Sequence, residues 1–225
     1  MPKFEGQFIS VVFVGRQNPR ILNHDFLVHN GVLPVDQEPF RELLRTRDRP
    51  AAPDEFVSVP VMTSIRYGPV SILVDENRYQ ITDRRFGNLA SSPIVPITKK
   101  YFGTLLRYTP LTAGGINFNG LLRFESQADE HGFNERLGLD AGKMAAALKS
   151  TDVRVGLVVS FPWHNGVVEV QMPKPKDRAA PGLVNFNYEF GYTDIDSFLS
   201  NLDDAELVYG RFREFLDSLA VEGAL

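Results

Sequence analysis

The predicted secondary-structure elements of this chain occur twice in the same order. The first series is a strand at 8–14, helical material, a three-strand meander at 56–82 and a helix at about 96–108. The second series is a strand at 115–124, a helix at 140–149, a meander at 153–192 and a closing helix at 194–219. This order predicts an α+β fold with an internally duplicated strand-helix-meander-helix unit. The halves 1–113 and 114–225 would form one compact unit about a pseudo-twofold axis.

Composition limits the classes of protein that this chain can belong to. With 225 residues, 43% of them hydrophobic, it can bury a substantial core. The absence of cysteine excludes disulfides and thiolate metal sites. The sequence shows no secretion signal and no apolar run of about 18 residues, the length that a membrane-spanning helix needs. We therefore expect a cytoplasmic protein with no membrane partner.

Alternating side chains predict antiparallel strands with one buried face and one wet face. The clearest example is the last strand, in which polar residues and one glycine alternate with Val184, Phe186, Tyr188, Phe190 and Tyr192. Such a pattern predicts one or more antiparallel sheets with helices on one face only. The dipeptide Asn165-Gly166 between two apolar runs predicts a hairpin with a type I′ turn.

The wet face predicted for the second half is rich in carboxamides. Seven polar residues would project from it: Asn117, Asn119, Glu169, Gln171, Asn185, Asn187 and Glu189. Asparagine and glutamine both donate and accept hydrogen bonds, so they can bind a backbone or a base edge without a charge. These residues are either a binding surface or solubilising side chains on an exposed sheet.

The two predicted halves differ in charge. Residues 1–113 contain 14 basic and 11 acidic side chains, whereas residues 114–225 contain 10 and 17. Either the solvated surface has drifted, or each half faces a different partner, for example in a homodimer that joins opposite halves. Four arginines of the first half form a candidate anion-binding patch: Arg41, Arg45, Arg47 and Arg49.

Familiar catalytic and cofactor motifs are absent from the sequence. It has no phosphate-binding GxxxxGK[ST], no GxGxxG, no HExxH and no GxSxG. His24 and His29 are five residues apart, a spacing that does not bring both onto one helix face. We therefore expect no metal and no cofactor, and the sequence indicates no set of catalytic residues.

Three segments carry a resemblance to a known family: the helix Tyr101–Tyr108 (YFGTLLRY), the strand Gly114–Phe124 (GGINFNGLLRF) and the late helix Asn201–Leu216 (NLDDAELVYGRFREFL). Their order resembles a sporadically distributed bacterial protein family of unknown function. In that family a helix leads into a glycine-containing strand, and a late helix has an acidic start. Glu206 stands near the position of the family's late-helix histidine. The resemblance implies a bacterial protein from a variable locus, such as a defence locus, and no catalytic residue.

These observations favour a non-catalytic binding or adaptor module that recognises a protein through the wet sheet face or its loops. A saddle-shaped protein that binds nucleic acid is the first alternative, although the acidic second half disfavours contact with phosphates. An enzyme with an unfamiliar site is the second alternative, which a deep pocket with convergent polar groups would support.

Overall fold

The computed structural model describes residues 2–33, 52–85, 92–139, 141–149, 153, 155–173, 181–192, 194–219 and 222–224. Ten strands are present among them: β1 (Lys3–Gly15), β2 (Glu55–Val59), β3 (Met62–Tyr67), β4 (Val70–Asp75), β5 (Arg78–Asp83), β6 (Leu111–Arg123), β7 (Leu157–Trp163), β8 (Gly166–Met172), β9 (Gly182–Phe190) and β10 (Glu222–Ala224). The α-helices are α1 (His24–His29), α2 (Ile94–Lys100), α3 (Gln127–Arg136), α4 (Ala141–Leu148), α5 (Ile195–Asn201) and α6 (Ala205–Ser218). A π-helical turn, Tyr101–Leu105, continues α2, and 3-10 turns occupy Pro19–Ile21 and Leu202–Asp204.

Nine strands form one open antiparallel sheet in the order β2-β3-β4-β5-β1-β6-β9-β8-β7. The long strands β1 and β6 pair at its centre, and β10 adds a short parallel pairing to the start of β1. On each side of this central pair, the last strand of a meander comes first and the earlier strands follow outward. The α+β class and the antiparallel sheet predicted from the sequence are thus confirmed.

The helices that contact the sheet lie on one of its faces. In α5, Phe198 packs on Phe13 of β1, with ring centroids 3.9 Å apart. In α6, Phe212 packs on Phe118 of β6. His24 of α1 lies 3.0 Å from the hydroxyl of Tyr67 in β3, measured from Nδ1. Because all three sheet residues belong to the buried alternate positions of their strands, the core forms between this face and the helices.

Aromatic residues dominate this core. Phe13 contacts Phe102 of the π-helical turn, at 4.3 Å between centroids, as well as Phe198. The core therefore connects helical segments of both halves through one strand of the central pair. Complete burial of each such ring contributes about 1.5–3 kcal/mol to folding.

The first meander has four strands and not the three that its sequence pattern predicts. The alternation of valines through Val57, Val59 and Val61 suggested one long strand. In the structure, β2 ends at Val59 and β3 begins at Met62, with a turn at 60–61. Pro60 explains the break, because proline has no N–H to continue a ladder and fixes φ at a value that suits a turn.

The predicted closing helix is also interrupted. It consists of α5, the 3-10 turn Leu202–Asp204 and α6. Asn201 is 5% exposed at this junction and donates from Nδ2 to the Gly191 carbonyl oxygen at 2.8 Å. Its Oδ1 accepts from Nδ2 of Asn165 in the β7–β8 turn. The interruption thus places a polar side chain where it connects the helical layer to a hairpin of the sheet.

The hairpin prediction at residues 164–166 is correct in place but not in turn type. The turn residues are His164 and Asn165, and Gly166 is the first residue of β8, paired with Trp163. His164 has a φ of 48°, and the residues with positive φ do not include Asn165. A Cβ at Gly166 would lie 2.2 Å from the Glu189 carbonyl oxygen, so the glycine permits close approach of β9.

The helix α3, Gln127–Arg136, forms from a strongly polar segment of the chain. Ser126 caps its first turn, because its hydroxyl oxygen accepts from the Asp129 backbone N–H at 3.1 Å. Phe133 is buried and contacts Phe124, at 5.4 Å between centroids. The ring of Phe133 is therefore the main apolar contact of α3, whose surface is otherwise polar.

A buried hydroxyl without a hydrogen-bond partner yields a stability prediction. Tyr101 is fully buried, and its hydroxyl has no partner among the described residues. We expect Tyr101→Phe to raise the free energy of unfolding by about 1 kcal/mol, because the desolvation cost of the hydroxyl disappears.

Burial raises the pKa of Tyr101 above the ordinary value of 10. The wild-type chain should therefore lose stability as the pH rises above 10, and Tyr101→Phe should lose less.

Urea titrations at neutral and alkaline pH would measure both effects. Tyr79→Phe is the matched control, because the Tyr79 hydroxyl lies 3.4 Å from Thr98 Oγ1 and has a partner to lose. A Tyr101→Phe variant that is less stable than Tyr79→Phe at neutral pH would contradict the prediction.

Candidate recognition surface

The face of the sheet opposite these helices, here called the open face, carries the polar residues predicted from the sequence. The structure places all seven on it: Asn117, Asn119, Glu169, Gln171, Asn185, Asn187 and Glu189. Each alternates along its strand with residues of the opposite face, such as Phe118 in β6 and Phe186 in β9, which are fully buried. The two strands thus present aromatic rings to the helices and carboxamides to the other side.

The register of the sheet aligns these residues in two cross-strand rows. Asn117 is opposite Asn187, which in turn is opposite Glu169. Asn119 is opposite Asn185, which is opposite Gln171. Directly opposed residues have Cβ atoms about 4.5–5.5 Å apart, so the four asparagines form one continuous carboxamide patch. Residues distant in sequence are therefore neighbours on the surface.

One of these rows continues across all nine antiparallel strands and is polar at every position. Its members, here called the polar row, are Glu55, Arg66, Ser71, Thr82, Ser10, Asn117, Asn187, Glu169 and Ser160, in order from β2 to β7. With about 4.8 Å between adjacent strands, the row extends over about 38 Å. An uninterrupted band of hydrogen-bonding groups thus crosses the whole open face.

Only the second-half members Asn117, Asn187 and Glu169 of the polar row were among the residues predicted from the sequence. In the first half, the alternation in β3, β4 and β5 was a usable signal, since Arg66 and Ser71 each lie between buried apolar or aromatic neighbours and Thr82 follows the buried Ile81. Ser10 gave no such signal, because it precedes the apolar run Val11–Val14. It is 2% exposed at the centre of the sheet, where strands flank it on both sides.

One buried polar atom of the carboxamide patch has no hydrogen-bond partner among the described residues. Oδ1 of Asn185 is buried and accepts no hydrogen bond from any described residue. Gln171 donates from its amide to the Glu169 carboxylate, which orients both side chains. An unpaired acceptor beside an ordered pair can hydrogen-bond to a bound molecule or to water.

A shallow depression of about 220 Å³ lies beside the carboxamide patch. The residues that line it include Gly115, Val12, Asn117, Arg78 and Glu189. A Cβ at Gly115 would lie 2.3 Å from the Tyr188 carbonyl oxygen, so the close approach of β9 requires glycine there. The lining groups of the depression include a guanidinium and a carboxylate, those of Arg78 and Glu189.

Charges on the open face are of both signs, and several are paired. Arg66 donates from Nε to the Glu55 carboxylate at 3.1 Å, across the β2–β3 pair. Arg123 donates to the Glu5 carboxylate across the β1–β6 boundary. This hydrogen bond holds the pKa of Glu5 below its ordinary value. The two acidic members of the predicted set, Glu169 and Glu189, lie farther along the face. The described surface thus lacks a continuous basic stripe.

The predicted arginine patch of Arg41, Arg45, Arg47 and Arg49 lies outside the described residues. Among the residues that the structure does describe, no group of three or more histidine, aspartate or glutamate side chains could hold a metal ion.

Comparisons with protein-family models, with curated proteins and with solved structures find no match to this chain. Within the described part of the chain, every helix is too short or too polar to cross a membrane.

Proposed function

We propose that this chain is a non-catalytic binding module that recognises a protein partner through the open face of its sheet. The observation that carries the proposal is the polar row, which has a hydrogen-bonding side chain on each of nine strands. Among the described residues, the helices that contact the sheet pack on its other face, so the open face is a broad surface on which a partner can lie.

The dimensions of the open face suit a protein partner. A width of about 38 Å and strands of about six residues, each about 20 Å long, give an area of about 760 Å². A typical specific interface buries about 800 Å² on each partner. Carboxamides provide both donors and acceptors, as a peptide backbone does, and such interfaces include many bridging waters.

The charge pattern favours a protein over a nucleic acid. Contact with phosphates requires lysine or arginine side chains that are free to replace counterions. Arg66 and Arg123 are instead paired with carboxylates of the same face. Retention of DNA or RNA on a filter at low salt, lost on mutation of the polar row, would support the alternative.

The depression offers little support for an enzyme. Among the described residues that line it, none is serine, threonine, histidine or lysine. Arg78 and Glu189 belong to strands that are separated by β1 and β6, about 14 Å apart at the usual strand spacing. Such a separation suits two charges on a partner better than one reacting bond.

We also propose that the two halves arose by tandem duplication and are related by a pseudo-twofold axis. The support is the strand order, which is symmetric about the β1–β6 pair. The extra strand β2 and the unequal closing helices would be later divergence. An experimental structure in which β3-β4-β5-β1 cannot be superimposed on β7-β8-β9-β6 would contradict the duplication.

The resemblance stated above adds a biological setting to the proposal. It suggests a cytoplasmic bacterial adaptor of an accessory or defence-type locus. Its motifs Gly114–Phe124 and Asn201–Leu216 correspond here to the central strand β6 and to the layer of α5 and α6. Detection of the captured partner's gene beside the gene for this chain would support that setting.

Affinity capture from cells that produce the protein would test recognition by the open face. The triple variant Asn117→Ala, Asn185→Ala and Asn187→Ala should reduce recovery of the main partner at least tenfold, because it removes the centre of the carboxamide patch. The matched control, Glu206→Ala with Arg213→Ala, alters exposed residues of α6 and should leave recovery unchanged. Equal recovery with both variants, each shown to be folded by circular dichroism, would contradict the proposal.

A further inference from the structure

The strand β2 forms one edge of the sheet, and the part of the chain that the structure describes covers neither of its faces. All five of its residues are exposed. Three of them are apolar, namely Phe56, Val57 and Val59, with 51%, 40% and 43% of their surfaces accessible. Every second residue of such an edge directs its backbone N–H and C=O outward, where another strand can bind them.

The polar side chains of β2 are already partnered within the chain. The carboxylate of Glu55 accepts from Arg66 at 3.1 Å, and the Ser58 hydroxyl lies 3.0 Å from Thr63 Oγ1. The remaining side chains are apolar. Natural edge strands are usually protected by lysine, proline or a bulge, and β2 has none of these within its five residues. The strand that best complements this edge is therefore short, extended and apolar.

The opposite edge of the sheet, formed by β7, is protected against pairing with another strand. The strand β7 also exposes apolar residues, of which Val158 is 66% accessible. However, it contains Pro162, which cannot donate to a new ladder, as is typical of a protected edge. The two edges thus differ in their capacity to pair, although both are apolar.

We propose that β2 is a self-association site at which a second copy of this chain pairs antiparallel, with Val57 opposite Val57 about a twofold axis. This register pairs all five residues of each strand and places Phe56 beside Ser58 of the second copy. The second copy supplies the short apolar strand that the edge requires, and a twofold contact of this kind closes on itself. The open faces of the two copies would then form one continuous surface.

The size of the contact determines its strength. Five residues on each side are well below the 20–30 residues a side of a typical specific interface. Self-association should therefore depend on concentration. It would double the number of recognition surfaces in one particle, which raises the apparent affinity for a partner with repeated sites.

Sedimentation velocity of the full chain over a wide concentration range would test this assignment. Wild type should shift from monomer to dimer as concentration rises. Val57→Lys should shift the dissociation constant upward at least tenfold, because two ammonium groups would face each other across the axis. Val158→Lys, the matched change on β7, should behave as wild type. Each variant should retain the wild-type melting temperature of its monomer, because both sites are exposed.

A mixture of variants distinguishes this register from general repulsion. Val57→Lys and Val57→Glu, each monomeric alone, should form a mixed dimer when combined, since opposite charges would meet at the axis. Wild type that remains monomeric at every concentration would overturn the assignment. A dimer that Val158→Lys dissociates and Val57→Lys does not would overturn it equally.

Discussion

Phe212→Ala is expected to lower the free energy of unfolding by about 3–5 kcal/mol, among the largest effects of any single substitution in this chain. The fully buried ring of Phe212 stacks on Phe118 of β6 at 5.1 Å between centroids and contacts Phe186 of β9 at 5.3 Å. It also contacts Phe4 of β1 at 5.4 Å. Three neighbouring strands therefore depend on one side chain of α6, and its loss would leave a cavity that rigid strands cannot fill.

Urea unfolding followed by circular dichroism would measure this loss. Phe215→Ala is the matched control, because Phe215 lies on the same helix, is only partly buried and contacts Phe186 at 6.3 Å. We expect the control to lose less than half as much. Equal losses for the two variants would show that α6 does not pack on the sheet through Phe212.

Gly114→Ala is expected to cost about 1–3 kcal/mol although it adds only one methyl group. A Cβ at this position would lie 1.9 Å from the nearest ring carbon of Phe198. That ring is fully buried between Phe13 and Phe190, at 3.9 and 5.3 Å between centroids, so it has no free space to move into. The glycine allows the closing helices to approach the central strand pair.

A double-mutant cycle tests this explanation. In a Phe198→Ala background the added methyl group has room, so Gly114→Ala should cost close to zero. The coupling between the two positions should then be about as large as the cost of Gly114→Ala in wild type, within the 0.5–3 kcal/mol typical of residues in contact. Additive effects would mean that the clash does not cause the destabilisation. Chemical denaturation of the four proteins at one temperature supplies the measurement.

The features that could be predicted from the sequence are those that one strand or helix expresses by itself. From Val184 to Phe190, β9 alternates aromatic or valine residues with polar ones, and the structure buries Phe186 as predicted. The stripe of α6 that contains Phe212 likewise faces the core. Both signals depend on local periodicity, which is sufficient to assign a face.

The features that could not be predicted depend on contacts between distant segments. The closing helix is interrupted directly after Asn201, whose side chain hydrogen-bonds to Asn165, 36 residues away. Gly166 belongs to β8 and not to the turn because β9 approaches it closely. Nothing in either local sequence indicates these partners.

The polar row depends on contacts of the same kind. Ser10 and Asn117 become neighbours only through the register of β1 with β6. Asn117 belongs to an alternating segment, which predicts a polar residue on the sheet face, whereas Ser10 precedes an apolar run and gives no such prediction. A surface made of one residue per strand becomes visible only when the order and register of all the strands are known.

The central claim, that the open face binds a partner, can be tested with single cysteines because the natural chain has none. Asn187→Cys would place a thiol in the polar row, and Arg213→Cys would place one on the exposed side of α6. The rate of maleimide labelling would be measured for both variants in buffer and in an extract of the producing cells. We expect the extract to slow labelling of Asn187→Cys severalfold relative to Arg213→Cys. An unchanged ratio of the two rates, or selective protection of the α6 position, would contradict the claim.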